Sequence, residues 1–195
     1  MGQSYTLAIT GASGSAFGVA VLRRLSANPA VERVALLLSP TGKRCLHDEA
    51  GLTPKDLAAL PKVSLRDERD LGADISSGSF RQDGMVLIPC SAGALGRIAA
   101  GTSETLVSRA ADVCLKERRP LVLCVREAPW SLIDLDNART VAAAGGIIMP
   151  LSPPFYMAGA KDPAQVTAAE LLGAYVDRVL ALLGHAAPAN WNTVK

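Results

Sequence analysis

The chain has 195 residues, of which 49% are hydrophobic and 19% charged, so its size and composition are those of a globular domain rather than a disordered or fibrous protein. Twenty basic against 18 acidic side chains leave a net charge of +2, which excludes the strong basic excess typical of nucleic-acid-binding proteins. No apolar run reaches the roughly 18 residues needed to span a bilayer. We therefore expect one domain over residues 1–195 that binds neither nucleic acid nor membrane.

Cysteine and histidine usage argues against a metal site. The four cysteines, Cys45, Cys90, Cys114 and Cys124, lack the paired spacing of metal ligands, and the chain has only two histidines. The first residues also lack the basic and apolar regions of a signal peptide. We expect no metal, reduced cysteines and a cytoplasmic location.

Hydrophobic patterning predicts strands and helices that alternate along the chain. Apolar runs predict strands at Tyr5–Ile9, Val31–Leu38, Met85–Ile88, Leu121–Val125 and Ile147–Met149. Helical spacing predicts one helix that carries Phe17, Val21, Leu22 and Leu25, and others at Lys43–Ala50, Leu95–Ala100, Leu106–Arg118, Leu132–Ala144 and Ala164–Leu183. The segment Gly51–Gly84 is the least periodic part of the chain.

Continuously apolar strands that alternate with helices are typical of an α/β protein whose parallel sheet is covered on both faces. We predict a three-layer, Rossmann-like or flavodoxin-like fold. Ligands of such folds bind outside the carboxyl ends of the strands. The loops of interest are therefore Thr10–Gly18, Ser39–Thr41, Pro89–Ala94, Arg126–Ser131 and Pro150–Tyr156.

The first of these loops carries two closely spaced glycines, Gly11 and Gly14, between a strand and a helix. Glycines allow close backbone approach to a phosphate, and a helix N-terminus presents free N–H groups to it, although an ordinary tight turn needs the same residues. The second strand ends at Ser39-Pro40, without the carboxylate that dinucleotide-binding proteins place there. A mononucleotide such as FMN therefore fits better than NAD.

Two further strand ends carry polar residues. Ser91 lies among small residues in Pro89–Ala94, which suits either close approach to a flat ring or phosphate, or a simple turn. Arg126 and Glu127 directly follow an apolar strand, where adjacent charges need partners. They form either a local ion pair or a site in which Arg126 holds a phosphate or flavin oxygen and Glu127 transfers a proton.

One predicted helix carries a charged face. Arg109, Asp112 and Lys116 follow one another at spacings of three and four residues, and this pattern alone favours a salt-bridged surface stripe. Tyr156 and Arg178 are not distinctive by themselves.

Several segments together resemble the UbiX/Pad family of flavin prenyltransferases. The matching segments are Thr10–Gly14, Ser76–Phe80, Pro89–Ser91, Arg109–Pro129, Gly146–Pro150, Phe155-Tyr156 and Arg178–Gly184. The stretch Arg109–Pro129 is the most specific, whereas the glycine loop alone is not.

The resemblance implies an enzyme that transfers a dimethylallyl group from dimethylallyl phosphate to N5 and C6 of reduced FMN. It implies non-covalent FMN, no metal, and a homo-oligomer as large as a dodecamer with FMN near subunit interfaces. The prenylated flavin would then serve a UbiD-type decarboxylase. Whether the prenyl donor is a mono- or a diphosphate stays open.

The resemblance also implies roles for individual residues. FMN would be held by Gly11, Ala12, Ser13, Ser39, Ser91, Ala92, Gly93, Ala94 and Arg126. Ser76 and Ser77 would lie near the prenyl chain, and the prenyl phosphate would be bound by Arg109, Lys116, Tyr156 and Arg178. The expected catalytic residues are Glu127, Lys116, Arg109 and Glu49.

Two alternatives remain open from the sequence. One is an FMN-dependent decarboxylase of the peptidyl-cysteine type, and the other is a flavin-binding protein without chemistry of its own. Neither needs the four-residue phosphate cluster, so its presence favours prenyl transfer.

Overall fold

The computed structural model describes residues 2–158 and 162–185. The chain divides into two compact units, Met1–Leu151 and Ser152–Lys195, and each is described by itself. The prediction of a single domain over residues 1–195 therefore stays a prediction. No helix in the described residues is both long and apolar enough to cross a membrane.

The first unit alternates strands and helices. Its strands are β1 (Gln3–Ile9), β2 (Val31–Leu38), β3 (Val63–Leu65), β4 (Gly84–Cys90), β5 (Leu121–Val125) and β6 (Ile147–Ile148). Its helices are α1 (Ser15–Ala27), α2 (Pro40–Ala50), α3 (Pro54–Ala58), α4 (Ala92–Ala99), α5 (Leu106–Lys116) and α6 (Leu132–Ala143), with a 3₁₀ turn at Asp74–Ser76. The second unit contains α7 (Ala168–Leu182) and 3₁₀ turns at Phe155–Ala158 and Pro163–Gln165.

The six strands form one parallel sheet in the order β3-β2-β1-β4-β5-β6. One face packs against α4 and α5 through a core that includes Ala8, Leu37 and Leu87, and the helix α1 packs against β1, β2 and β4. The predicted three-layer α/β fold is thus confirmed. The strand order reverses direction between β1 and β4, which is where ligands bind in open sheets of this kind.

The predicted strands are confirmed to within two residues at each end, because the central strands β1, β4 and β5 are almost entirely buried. The sequence does not predict the strand β3, which has only three residues, none of them fully buried, and lies at the sheet edge within the aperiodic segment. The helix α2 begins three residues earlier than predicted because Ser39 caps it and Pro40 occupies its first position.

A glycine on α1 allows the helix to lie directly on the sheet. A Cβ atom at Gly18 would collide with the backbone carbonyl oxygen of Ile88 and would lie 3.2 Å from the Ile9 side chain. Because the colliding atom belongs to the backbone of a central strand, no side-chain rotation relieves the contact. The spacing between α1 and β4 therefore depends on this glycine.

We predict that Gly18→Ala destabilises the protein by about 1–3 kcal/mol, since the added methyl group forces α1 away from β4. The matched control is Gly173→Ala on α7, where an added Cβ meets nothing within 4 Å and the better helix propensity of alanine stabilises by up to about 1 kcal/mol. Urea unfolding of both variants measures the free energies. Equal stabilities of the two variants would contradict the close packing at Gly18.

Candidate active site

The buried hydroxyl of Thr10 joins the ends of β1 and β4. Thr10 Oγ1 donates to the Pro89 carbonyl at 3.0 Å and accepts from the Ser91 backbone N–H at 2.8 Å. The Thr10 backbone N–H donates to the same carbonyl at 3.1 Å, and the Ser39 N–H donates to the Ile9 carbonyl at 3.1 Å. The carboxyl ends of β1, β2 and β4 are therefore fixed to one another at the point where the strand order reverses.

Three helices begin around a single cavity of about 300 Å³ at this edge of the sheet. Ser39 caps α2 by accepting from Gly42 N–H at 3.0 Å, Ser91 caps α4, and Thr105 caps α5. All three capping residues line the cavity. Because helix N-termini carry partial positive charge and unpaired N–H groups, the cavity favours an anionic group such as a phosphate.

The remaining lining adds hydroxyl groups and two charges. Thr10, Thr41 and Ser108 bring further hydroxyls, and Arg97 and Glu68 bring the charges. A volume of about 300 Å³ lies at the lower end of the range for small-molecule sites. Hydroxyls, helix N-termini and an arginine form a donor set that fits the phosphate and polar chain of a mononucleotide such as FMN.

Four of the nine residues predicted to hold FMN, namely Gly11, Ser39, Ser91 and Ala94, line this cavity. The other five, Ala12, Ser13, Ala92, Gly93 and Arg126, lie at the same edge of the sheet without lining it. The Arg126 backbone N–H donates to the Cys90 carbonyl at 2.9 Å, which places Arg126 beside the loop that carries Ser91.

The Glu49 carboxylate binds the glycine loop. Glu49 Oε2 accepts from the backbone N–H groups of Gly14 at 3.0 Å and Ser15 at 2.8 Å, at the start of α1. Burial alone would raise the pKa of Glu49, but these hydrogen bonds favour the ionised form and hold the pKa below its usual value. The loop amides expected to meet a phosphate are thus engaged by a carboxylate of the same chain.

The loop that contains Ser76 and Ser77 lies beside α5. Arg109 Nε donates to the Ser76 carbonyl at 3.0 Å, and a Cβ atom at Gly78 would lie 2.6 Å from Lys116 Nζ. The structure therefore brings together the two serines and two of the cations predicted to serve the prenyl donor. The predicted salt-bridged stripe of Arg109, Asp112 and Lys116 forms only in part, since Arg109 pairs with Asp112 and Lys116 does not.

Both cations already have acidic partners. Arg109 pairs with Asp112 at 2.9 Å, whereas Lys116 pairs with Glu117 at 2.7 Å rather than with Asp112. All four side chains are between one third and one half exposed. Such exposed ion pairs are weak, so each cation can exchange its carboxylate for a bound phosphate at little cost.

Arg119 holds the same loop and was not among the predicted site residues. Its guanidinium donates to the Gly78 carbonyl at 2.7 Å and to the Phe80 carbonyl at 2.9 Å. The two bonds use the fork of the arginine side chain to fix the backbone that follows Ser77. A run of basic residues at a helix end carries no sequence signal that separates this role from a solvated surface.

Arg126 and Glu127 do not pair with each other. Within the described part of the chain, neither side chain forms an ion pair, and Glu127 Oε1 accepts only the backbone N–H of Ala128, at 3.1 Å. The interpretation of these residues as a local ion pair therefore does not apply. Glu127 is partly exposed just after the end of β5.

Tyr156 and Arg178 belong to the second unit. Tyr156 lies in the 3₁₀ turn Phe155–Ala158 and is largely exposed, and Arg178 lies on the exposed side of α7. The chain between them includes residues 159–161, which lie outside the described residues. The positions of both side chains in a phosphate site stay predictions.

Comparisons with known proteins agree with this geometry. The model of the Flavoprotein family matches residues 2–177. The flavin prenyltransferase UbiX of Deinococcus radiodurans is 42% identical over 180 residues, which cover 92% of this chain and 88% of that protein. The structure of AnUbiX (PadA1) in complex with FMN and dimethylallyl pyrophosphate is 36% identical, covers 100% of both chains and has a TM-score of 0.88.

A dodecameric FMN-dependent UbiX-like decarboxylase from Escherichia coli O157:H7 is 38% identical, with a TM-score of 0.87 over 96% of this chain and 98% of that chain. The peptidyl-cysteine decarboxylase EpiD, which represents one alternative, is only 17% identical at a TM-score of 0.66, over 95% of this chain and 100% of that chain. Its similarity shows the fold alone. The chain belongs to the Flavoprotein family and, within it, to the UbiX flavin prenyltransferases.

We predict that Glu49→Gln lowers the free energy of unfolding at neutral pH and that this loss disappears in acid. The folded-state pKa of Glu49 lies below its usual value of 4.5. The ionised carboxylate therefore contributes its full stabilisation at pH values above 4.5. This contribution is lost as the pH falls through the folded-state pKa.

Urea unfolding from pH 7 to pH 3 measures the difference between wild type and variant. The control is Glu32→Gln, which removes an equal charge from an exposed position on β2. A wild-type advantage over Glu49→Gln that persists unchanged at pH 3 would contradict the role of the ionised carboxylate.

Proposed function

We propose that the protein transfers a dimethylallyl group from dimethylallyl phosphate to N5 and C6 of reduced FMN. The observation that carries this proposal is a cavity at the sheet edge, ringed by three helix N-termini, in a chain that belongs to the flavin prenyltransferases. The alternative decarboxylase and storage functions have no comparable support.

FMN would bind at the loops that end β1, β2, β4 and β5. The proposed set is the nine residues Gly11, Ala12, Ser13, Ser39, Ser91, Ala92, Gly93, Ala94 and Arg126, to which the cavity adds Thr41 and Arg97. The reduced flavin supplies the nucleophilic N5 and C6 atoms. Ile98 adds an apolar side chain to the lining of the cavity.

The cations near Ser76 would bind the phosphate of the prenyl donor. Negative charge grows on this phosphate as the allylic C–O bond breaks, and preorganised cations stabilise that charge. Arg109 is held in place by the Ser76 carbonyl, and Lys116 lies against Gly78. Tyr156 and Arg178 would complete the phosphate site, and Ser76 and Ser77 would lie along the prenyl chain.

Glu127 would accept the proton released from C6. Its carboxylate is partly exposed and makes only one hydrogen bond, to the backbone beside it, so it is free to act as a general base. Glu49, which lies on α2 and binds the amides of Gly14 and Ser15, would act beside the glycine loop.

We propose a homo-oligomer, as large as a dodecamer, in which other copies cover apolar side chains on α6. Leu132, Ile133 and Leu135 are 74%, 73% and 52% exposed on this helix. Lys116 lies about 12 Å along α5 from Ser108, which lines the cavity. The product would pass to a UbiD-type decarboxylase, and the protein would act in the cytoplasm.

The mass of the flavin tests the proposal. Purified protein is incubated without oxygen with reduced FMN and either dimethylallyl phosphate or the diphosphate, and the released flavin is weighed. We expect a mass gain of one isoprene unit with at least one donor. An unchanged flavin mass, while FMN binding is measured in the same sample, would rule out prenyl transfer.

In this assay Glu127→Gln is expected to bind FMN normally and to form product about a hundredfold more slowly, because general base catalysis contributes on that scale. Glu32→Gln serves as the charge-matched control and is expected to react like wild type. Unimpaired turnover of Glu127→Gln would remove Glu127 from the mechanism.

A further inference from the structure

Glu68 is an unexplained acidic residue in the cavity. It is only 9% exposed, it lines the cavity, and its position follows the edge strand β3. Within the described residues its carboxylate has neither a hydrogen-bond nor an ion-pair partner. Neither the sequence motifs nor the proposed mechanism assigns it a role.

The Glu68 carboxylate is not among the fully enclosed side-chain atoms that lack a partner in the described residues, so its oxygens are open to the cavity and solvated from that side. A molecule that fills the cavity displaces this water, which is costly for a charge unless other donors replace it. Nearly all buried polar groups in folded proteins are hydrogen-bonded. A molecule bound in the cavity therefore has to offer hydrogen-bond donors to Glu68, which lines it.

The backbone around Glu68 is held firmly. The Glu68 carbonyl accepts from the Leu106 N–H at 2.7 Å, which fixes it to the first turn of α5. The neighbouring Arg66 donates from its backbone N–H to the Leu36 carbonyl at 2.9 Å and pairs with Asp74 at 3.0 Å. These contacts fix the backbone from which the Glu68 side chain extends.

The charge of Glu68 determines which part of a flavin it fits. A carboxylate repels the phosphate, which suits Arg97 and the helix N-termini instead. It also repels the carbonyl oxygens of the ring, and these oxygens flank the ring N3–H on both sides, so a carboxylate that approaches this donor meets them as well. Hydroxyl groups donate short, strong hydrogen bonds to carboxylates. We infer that Glu68 binds the ribityl chain of the flavin by accepting hydrogen bonds from its hydroxyls, an inference that rests on the proposed flavin site.

A ligand series separates this role from other contacts. Dissociation constants are measured by fluorescence for FMN, for riboflavin, which lacks the phosphate, and for lumiflavin, which has the ring but no ribityl chain. The variants are Glu68→Leu, which removes the acceptor, and Glu68→Gln, which keeps one oxygen. The matched control is Glu104→Gln, which removes an equal charge at an exposed position next to α5.

We expect Glu68→Leu to weaken FMN and riboflavin binding about tenfold or more, the scale of a hydrogen bond to a charged group. Glu68→Gln is expected to have a smaller effect on the same two ligands. Lumiflavin binding by both variants and all binding by Glu104→Gln are expected to stay within about twofold of wild type. The flavin-free Glu68→Leu protein is expected to melt no lower than wild type, because the carboxylate has no hydrogen bond or ion pair within the described residues that the substitution would remove.

Equal weakening of lumiflavin would overturn the inference, since the contact would then lie on the ring. Unchanged FMN binding by Glu68→Leu would also overturn it while leaving the proposed function intact. If the wild-type protein bound none of the three flavins, the proposed function would fail and this inference with it.

Discussion

The hydrogen bonds of Thr10 hold the candidate site together, because they join two strand ends at the position where the sheet reverses its order. The Thr10 hydroxyl is simultaneously a donor to Pro89 and an acceptor from Ser91. Ser91 in turn caps α4, so the start of that helix is fixed relative to the end of β1. A buried hydroxyl whose donor and acceptor functions are both used tolerates little displacement of either loop.

The chemistry of the cavity follows from this arrangement of strand ends. The start of α2 is fixed to β1 through the Ser39 N–H, and the start of α5 is fixed to the loop after β3 through the Glu68 carbonyl. The three helix N-termini make most of the cavity attractive to an anion, and Glu68 adds an acceptor for hydroxyl groups. A flavin mononucleotide carries both kinds of group on one chain.

The sequence predicts most of the fold because β4 and β5 are continuously apolar and β1 and β2 are mostly so. It also identifies the cavity residues that directly follow such strands, as Ser39 and Ser91 do. It does not predict Arg97, Thr105 or Glu68. These side chains reach the cavity from helices and from an aperiodic loop, and their direction depends on how those elements pack. The partners of Glu49 and the loop contacts of Arg119 depend in the same way on long-range contacts.

The central claim is that the strand ends joined by Thr10 form the flavin site, and the FMN dissociation constants of Thr10→Val and Thr10→Ser test it most directly. Valine keeps the shape but removes both hydrogen bonds, whereas serine keeps the hydroxyl. We predict that Thr10→Val binds FMN about tenfold or more weakly and that Thr10→Ser stays within about threefold of wild type. Equal and undiminished FMN affinity in both variants would contradict the claim.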